Sequence, residues 1–246
     1  MKKIFGWHAV LAALENENNL FKKVILAKGR KEDSRKKRLQ QLVQDRHIFM
    51  QMVSKDEMDQ EWGAHHQGVA GVLEQDAVEH LYTENDLQNL IEQQAGPCLI
   101  LILDGIQDPH NLGACLRSAD AAGVCCVIAP KDKSAGLTPA VKKVACGAAE
   151  TVPFIAVTNL ARCLRELQSY GVWIYGASHE AEQTLYAAKF PKKTALVMGA
   201  EEKGLRRLTA EHCDELIKIP MYGSVESLNV SVATGICLFE IRRQQN

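Results

Sequence analysis

A chain of 246 residues exceeds the usual span of one domain, so two domains are the better expectation. Hydrophobic residues make up 46% and charged residues 24%, and no apolar run approaches the roughly 20 residues needed to cross a bilayer, so the chain reads as soluble. The formal net charge of -1 is unevenly spread, and the eight cysteines include no C-x-x-C pair, which disfavours zinc, or any other metal, and a redox motif. In a reducing compartment such cysteines act as small buried hydrophobes.

The opening MKKIFGWHAVLAALENENN sets two lysines before apolar residues. Trp7, His8 and Glu15 interrupt the run and no small-residue cleavage site follows, which argues against a secretory signal and for a cytoplasmic protein. Across residues 1–75 short β-rich runs alternate with helical ones: KVILA, a helix around Ser34 to Gln44, then IFMQMV and GVAGVL. The pattern predicts a small α/β sandwich. It carries a basic run, Lys22, Lys23, Lys28, Arg30, Lys31, Arg35, Lys36, Lys37 and Arg38, set against Glu32 and Asp33, which gives +7 over 17 residues and leaves -8 elsewhere. Such a run is either a solvated helix face or a patch that contacts phosphates. Residues 76–96, DAVEHLYTENDLQNLIEQQAG, are polar, lack a strand pattern and end before proline, so they read as a linker.

From residue 97 to 246 the pattern is regular. CLILIL, VCCVIA, TVPFIAV, VWIYGA, TALVMG and ELIKIP read as strands, with helical segments between most of them. Near-continuous apolar runs belong to strands buried on both faces of a parallel sheet, so the class is α/β. Ligands in such sheets bind beyond the carboxyl ends of the strands. After CLILIL comes DGIQDPHNLGACLRSA, which is not G-x-G-x-x-G and is followed by no ribose-binding acid, so a dinucleotide site is disfavoured. There Asp108-Pro109 sets a turn, Asn111 can cap the helix, and Arg117 follows six positions later, near the sheet's carboxyl edge. A second segment, LVMGAEEKGL, ends a strand at Gly199 and places Glu201 and Glu202 before Gly204; close approach to a ligand or a plain strand-to-helix turn would each explain its glycines. In a third, IPMYGSVESLNVSVATGICLFE, Ser227, Asn229 and Ser231 punctuate a stretch apolar enough to be buried, and buried polar groups need partners.

Together these three segments resemble the signature motifs of the SpoU (TrmH) branch of the SPOUT RNA 2'-O-ribose methyltransferases: D-P-x-N-x-G-x-x-x-R-S-A, then G-x-E-x-x-G, then I-P-M-x-G-x-x-x-S-L-N-V-S-V-A. F-G-W-H-A-V near the start and H-Q-G-V-A from His66 resemble the ribosomal-protein-like substrate-binding domain that precedes the catalytic domain in ribosomal RNA enzymes of this family. The resemblance implies a trefoil knot, a homodimer with catalytic residues from both subunits near each site, and methylation of a guanosine 2'-hydroxyl in 23S ribosomal RNA. It further implies S-adenosyl-L-methionine held by Gly199, Ile219 and Leu228, largely through backbone groups. Arg117 would be the central catalytic residue, with Asn111, Glu201, Ser227 and Asn229 around it. A guanidinium keeps its proton, so Arg117 is better suited to holding phosphate and stabilising alkoxide charge than to acting as a base. Where the family's second motif commonly continues G-x-E-G, this chain has Glu202. A transfer RNA 2'-O-methyltransferase and a non-catalytic RNA-binding protein are the alternatives.

Overall fold

A computed structural model describes residues 2–16, 19–29, 33–63, 66–73, 82–200 and 204–245, and the chain divides into two units, Met1–His80 and Leu81–Asn246. In chain order the first unit holds β1 (Lys2–Phe5), α1 (Trp7–Glu15), β2 (Phe21–Ala27), α2 (Ser34–Asp45), β3 (Met50–Val53), α3 (Lys55–Trp62) and β4 (Val69–Leu73). Its sheet runs β1-β4-β2-β3, with β4 antiparallel to β1 and β2, and β3 parallel to β2. Trp7, Val10 and Leu14 of α1 and Leu39 and Val43 of α2 pack on one face against Val24, Leu26 and Val69. On the other face Met58 of α3 meets Ile25, Ala70 and Val72. This is the expected α/β sandwich, and α1, α3 and β1 are added to it. The sequence gives little sign of α3, because in KDEMDQEW only Met58 is buried; the helix is instead started by a capping box between Ser54 and Glu57.

The second unit begins with a 3-10 turn (Glu84–Asp86) and continues with α4 (Leu87–Glu92), β5 (Cys98–Asp104), α5 (Pro109–Ala121), β6 (Cys126–Pro130), α6 (Pro139–Ala145), α7 (Ala148–Thr151), β7 (Phe154–Val157), α8 (Leu160–Ser169), β8 (Trp173–Ala177), β9 (Gln183–Thr184), β10 (Lys193–Gly199), α9 (Arg207–Glu211), β11 (Glu215–Lys218) and α10 (Val230–Gln245). One sheet, ordered β7-β6-β5-β10-β8-β11-β9, joins all seven strands in parallel. Every residue of β5 is buried, because residues from α5, α6 and α10 cover one face and residues from α4 and α8 the other. All six expected strands are present; β9, two residues long at the sheet edge, has too short a pattern to read.

The linker reading needs correction for residues 82–96. Leu87 and Ile91 are buried against Leu164 and Leu167, with Tyr82 and Leu90 packed beside them. Glu84 accepts a hydrogen bond from the Thr158 amide at 3.0 Å and pairs with Arg162. The polar majority of this stretch hides an apolar stripe at helical spacing. Residues 76–81 lie outside the described residues.

Six cysteines (98, 115, 125, 126, 163 and 237) are buried. Burial pushes the Cys163, Cys213 and Cys237 thiols up to about 12, so they pack as hydrophobes. Among the described residues no cluster has the makings of a metal site, and no helix is long and apolar enough to cross a membrane.

Candidate active site

Because the strands are parallel, β5, β10 and β11 present their carboxyl ends at one edge, and Asp104 and Gly199 stand opposite each other in register there. Asp104 is buried. Its Oδ2 accepts from the Arg206 amide at 3.1 Å, and the Arg206 Nε lies 3.2 Å from Oδ1. A charge taken out of water needs such a partner, so the pair ties the chain after β10 to the end of β5. Sequence reading missed both residues, although a lone aspartate closing an apolar strand was a usable signal.

The glycines of the second segment are explained by the protein's own backbone. A Cβ on Gly199 would stand 2.1 Å from the Gly204 carbonyl carbon. Ala200 and Gly204 exchange two backbone hydrogen bonds, of 3.1 and 2.8 Å, and Gly204 adopts a φ of 60°. Glu201 and Glu202 lie outside the described residues.

Helix α5 starts three residues earlier than the Asn111 cap predicts. Asp108 is the N-cap, its carboxylate accepting from the His110 amide at 2.9 Å, and Pro109 fills the first helical position. Asn111 is therefore released from capping. Its Oδ1 accepts from Asn229 Nδ2 at 3.0 Å, across 118 residues of sequence. The Asn229 Oδ1 in turn accepts from the Ser231 amide at 3.0 Å and the Ser231 hydroxyl at 2.6 Å, at the start of α10. One side-chain amide thus caps α10 and joins the third segment to the first.

Burial of the third segment is a further correction. Ser227 and Asn229 are exposed and Leu228 is half-buried. The apolar Met221, Tyr222 and Val225 are 37%, 94% and 60% exposed, so their hydropathy does not bring the loop inside this chain. Ile219 packs partly buried against the main core cluster, just beyond β11.

Arg117 is not brought beside Asn111. Six residues along a helix rotate its side chain about 120° away and advance it about 9 Å, so it lies deeper along α5 than the sheet edge. There it is exposed, with Nη1 4.0 Å from Cys146 Sγ.

Of the basic run in the first unit, Arg30 and Lys31 lie outside the described residues. Lys22 is exposed, Lys23 donates to Gln51 Oε1 at 2.9 Å, and Arg38 pairs with Glu15 at 3.2 Å. Lys28 follows β2, and Arg35, Lys36 and Lys37 sit in the first turn of α2, behind an Asp33 cap.

Residues 98–239 match the SpoU rRNA Methylase family, and residues 3–77 match the RNA 2'-O ribose methyltransferase substrate binding domain. The chain belongs to the SpoU rRNA methylase family. A SpoU relative named 23S rRNA (guanosine-2'-O-)-methyltransferase RlmB, from Salmonella typhimurium (strain LT2), is 56% identical over 98% of each chain. Its namesake in Escherichia coli (strain K12) is 55% identical over 99% of this chain and 98% of its own. Among solved structures, the SpoU methyltransferase AviRb from Streptomyces viridochromogenes in complex with the cofactor AdoMet shares the fold, with a TM-score of 0.74 at 20% identity over 98% of this chain and 89% of its own. The A. aeolicus TrmH/SpoU tRNA modifying enzyme is 32% identical with a TM-score of 0.56, covering 65% of this chain and 81% of its own.

Proposed function

We propose that this SpoU protein transfers a methyl group from S-adenosyl-L-methionine to the 2'-hydroxyl of a guanosine in 23S ribosomal RNA, as a cytoplasmic homodimer. The observation that carries the proposal is identity of 55–56%, over nearly the full length of both chains, with relatives of that named activity. A transfer RNA substrate is less well supported: the tRNA modifying relative covers only 65% of this chain, whereas the substrate-binding match takes residues 3–77.

The residues at the sheet edge suit the cofactor. Gly199 ends β10 and Ile219 follows β11, the parallel strands on either side of β8, and with half-buried Leu228 they offer apolar surface and backbone groups. That suits an adenine gripped through main-chain atoms, while the trefoil knot implied by the family is part of the same proposal. S-adenosyl-L-methionine supplies an already activated methyl group. The protein has then to position the ribose hydroxyl and ease loss of its proton. Asn111 and Asn229, locked to each other, orient the ribose, with Ser227 beside them in the third segment and Glu201 fixing the network. Arg117 steadies phosphate and alkoxide charge.

The distance of Arg117 from Asn111 favours a second copy of the chain as the group it serves. Val232 and Phe239, seven residues apart on one face of α10, are 52% and 53% exposed, which suits a covered dimer face. The basic run from Lys22 to Arg38 docks the RNA. Incubating the protein with tritium-labelled cofactor and ribosomal RNA, and mapping the 2'-O-methyl position, tests the reading: one labelled 23S guanosine is expected. Label in transfer RNA alone would move the substrate class, and RNA binding without any transfer would leave a non-catalytic binder.

A further inference from the structure

Two motifs of the first unit, F-G-W-H-A-V and H-Q-G-V-A, are not used by the methyl-transfer site. They meet in space. Trp7 Nε1 donates to the Gln67 carbonyl at 3.0 Å, and the Gly6 amide donates to the Val69 carbonyl at 3.1 Å. The turn they hold is bent into left-handed backbone at Gln67 (φ 53°) and Gly68 (φ 80°). A non-glycine residue there costs energy that the surrounding structure must sustain, a pattern concentrated at binding sites. His66, buried beneath the turn, accepts the Gly68 amide on Nδ1 at 2.8 Å, which leaves Nε2 to donate to Asp59 Oδ1 at 2.8 Å. The Asp59 carboxylate is thereby engaged from below.

Above this floor opens a cleft of about 630 Å³, lined among others by Trp7, Lys28, Arg35, Lys55, His66 and Gln67. Its volume lies within the range of ligand-binding clefts. Three cations reach it from three elements: Lys28 from the end of β2, Arg35 from α2 and Lys55 from α3, all of them exposed. Among the described residues Asp59 is the one acidic residue in its lining, and the nearby Glu57 carboxylate is taken up by the Ser54 amide and hydroxyl at 2.7 and 2.9 Å. The cleft is therefore positive, concave and walled by a strained turn.

We propose that this cleft receives an unpaired nucleotide of the RNA substrate, with Lys28, Arg35 and Lys55 on the flanking phosphates and Gln67 at the base. Single-stranded and looped RNA presents splayed bases whose edges an amide side chain can read, while cations fix the backbone. The inference rests on the RNA methyltransferase reading and narrows it. Among the described residues of the basic run only Lys28 and Arg35 line the cleft, and Lys55, which lies outside that run, joins them. Arg38 is committed to Glu15.

The test measures binding of the full-length protein to a fluorescent 23S ribosomal RNA transcript across a salt series. The combined variant Lys28→Ala, Arg35→Ala, Lys55→Ala is compared with Lys189→Ala, Lys192→Ala, two exposed lysines of the second unit. Three lost phosphate contacts should flatten the log affinity against log salt slope by about 2.1 to 2.7 and weaken binding at physiological salt at least about tenfold. The control pair should leave the slope within about half a unit. Gln67→Ala should weaken binding with no change of slope, because it removes base contact and no charge. Turnover at saturating RNA should hold in all three variants, and equal urea midpoints would establish that they fold. If the triple variant keeps wild-type affinity and slope while the wild type methylates the transcript, the cleft assignment falls and the enzymatic reading stands. A slope change in the control pair alone overturns it equally. If the wild type binds with the expected slope and transfers no methyl, the enzymatic reading falls and the cleft stands.

Discussion

Replacing Gly199 by alanine tests whether the turn after β10 is closed by its own backbone. The added Cβ would meet the Gly204 carbonyl carbon at 2.1 Å, its oxygen at 2.3 Å and the Leu205 nitrogen at 2.4 Å. Reaching ordinary contact at 3.4 Å requires a shift of about 1.3 Å, the difference between 3.4 and 2.1. All three obstacles are backbone atoms, so no side chain can rotate away. A shift of that size would carry the Ala200 and Gly204 hydrogen bonds, now 3.1 and 2.8 Å, beyond bonding range. At about 0.5 to 1.5 kcal/mol each, the pair represents about 1 to 3 kcal/mol. Loss of the Arg206 amide bond to Asp104, two residues further on, would add about 1.5 to 3 kcal/mol, because a charged group accepts it. Urea unfolding should therefore show destabilisation of at least about 1 kcal/mol. Calorimetry should show S-adenosyl-L-methionine affinity reduced about tenfold or more, since about 1.4 kcal/mol of distortion suffices for that. Gly136→Ala, with no atom within 4 Å of the added carbon, is the control and should behave as wild type. Wild-type stability and affinity in Gly199→Ala would refute the closure of this turn by its own backbone.

Three further outcomes follow from the same geometry. Arg117→Ala should abolish methyl transfer and leave cofactor affinity within a few fold, and Arg117→Lys should be nearly as damaging because a lysine lacks the planar fork; wild-type turnover in either would remove Arg117 from the chemistry. Asn229→Asp keeps an oxygen to cap α10 but loses the Nδ2 donor to Asn111, so turnover should fall with the urea midpoint nearly unchanged, whereas Asn229→Ala should also lose about 1 kcal/mol of stability; equal turnover in Asn229→Asp and wild type would show that the bridge is dispensable. Hydrogen bonds from Arg243 hold the Glu240 carboxyl at about 2 against an ordinary 4.5. A folded-state value below the unfolded one means that this stabilisation is complete above pH 4.5 and disappears as the pH falls through about 2. Glu240→Gln should accordingly lower the unfolding midpoint near neutrality and leave it unchanged in strong acid, and an equal loss in both would contradict the pairing.

The parallel sheet was legible because buried strands such as CLILIL and ALVMG leave no polar residue to interrupt them. The helix at Leu87–Glu92 was not, since its apolar stripe is one turn wide within a polar stretch. At the site, the three segments stood out but their partnerships did not. Asp108 and Asn111 are both good capping residues, and the decision lay with Pro109, which belongs at the first helical position and so assigns the cap to Asp108. Hydropathy misplaced the third segment because Tyr222 and Val225, apolar yet exposed, do not find cover within their own chain. Spacing could not reveal the Asn111–Asn229 and Asp104–Arg206 pairs, which depend on how the sheet orders β5 beside β10.

Those pairs have a consequence for how the protein is made. Asp104 waits for Arg206, Asn111 for Asn229, and the Pro97 and Ala122 carbonyls for the Arg242 guanidinium, which donates to them at 3.1 and 2.7 Å. Each joins a residue emerging early from the ribosome to one emerging more than a hundred residues later. At synthesis rates of about 5 to 20 residues per second, β5 and α5 spend several seconds exposed before the groups that complete them exist. A partly synthesised chain therefore holds half of each of these pairs, and the last of them closes only when α10 has emerged.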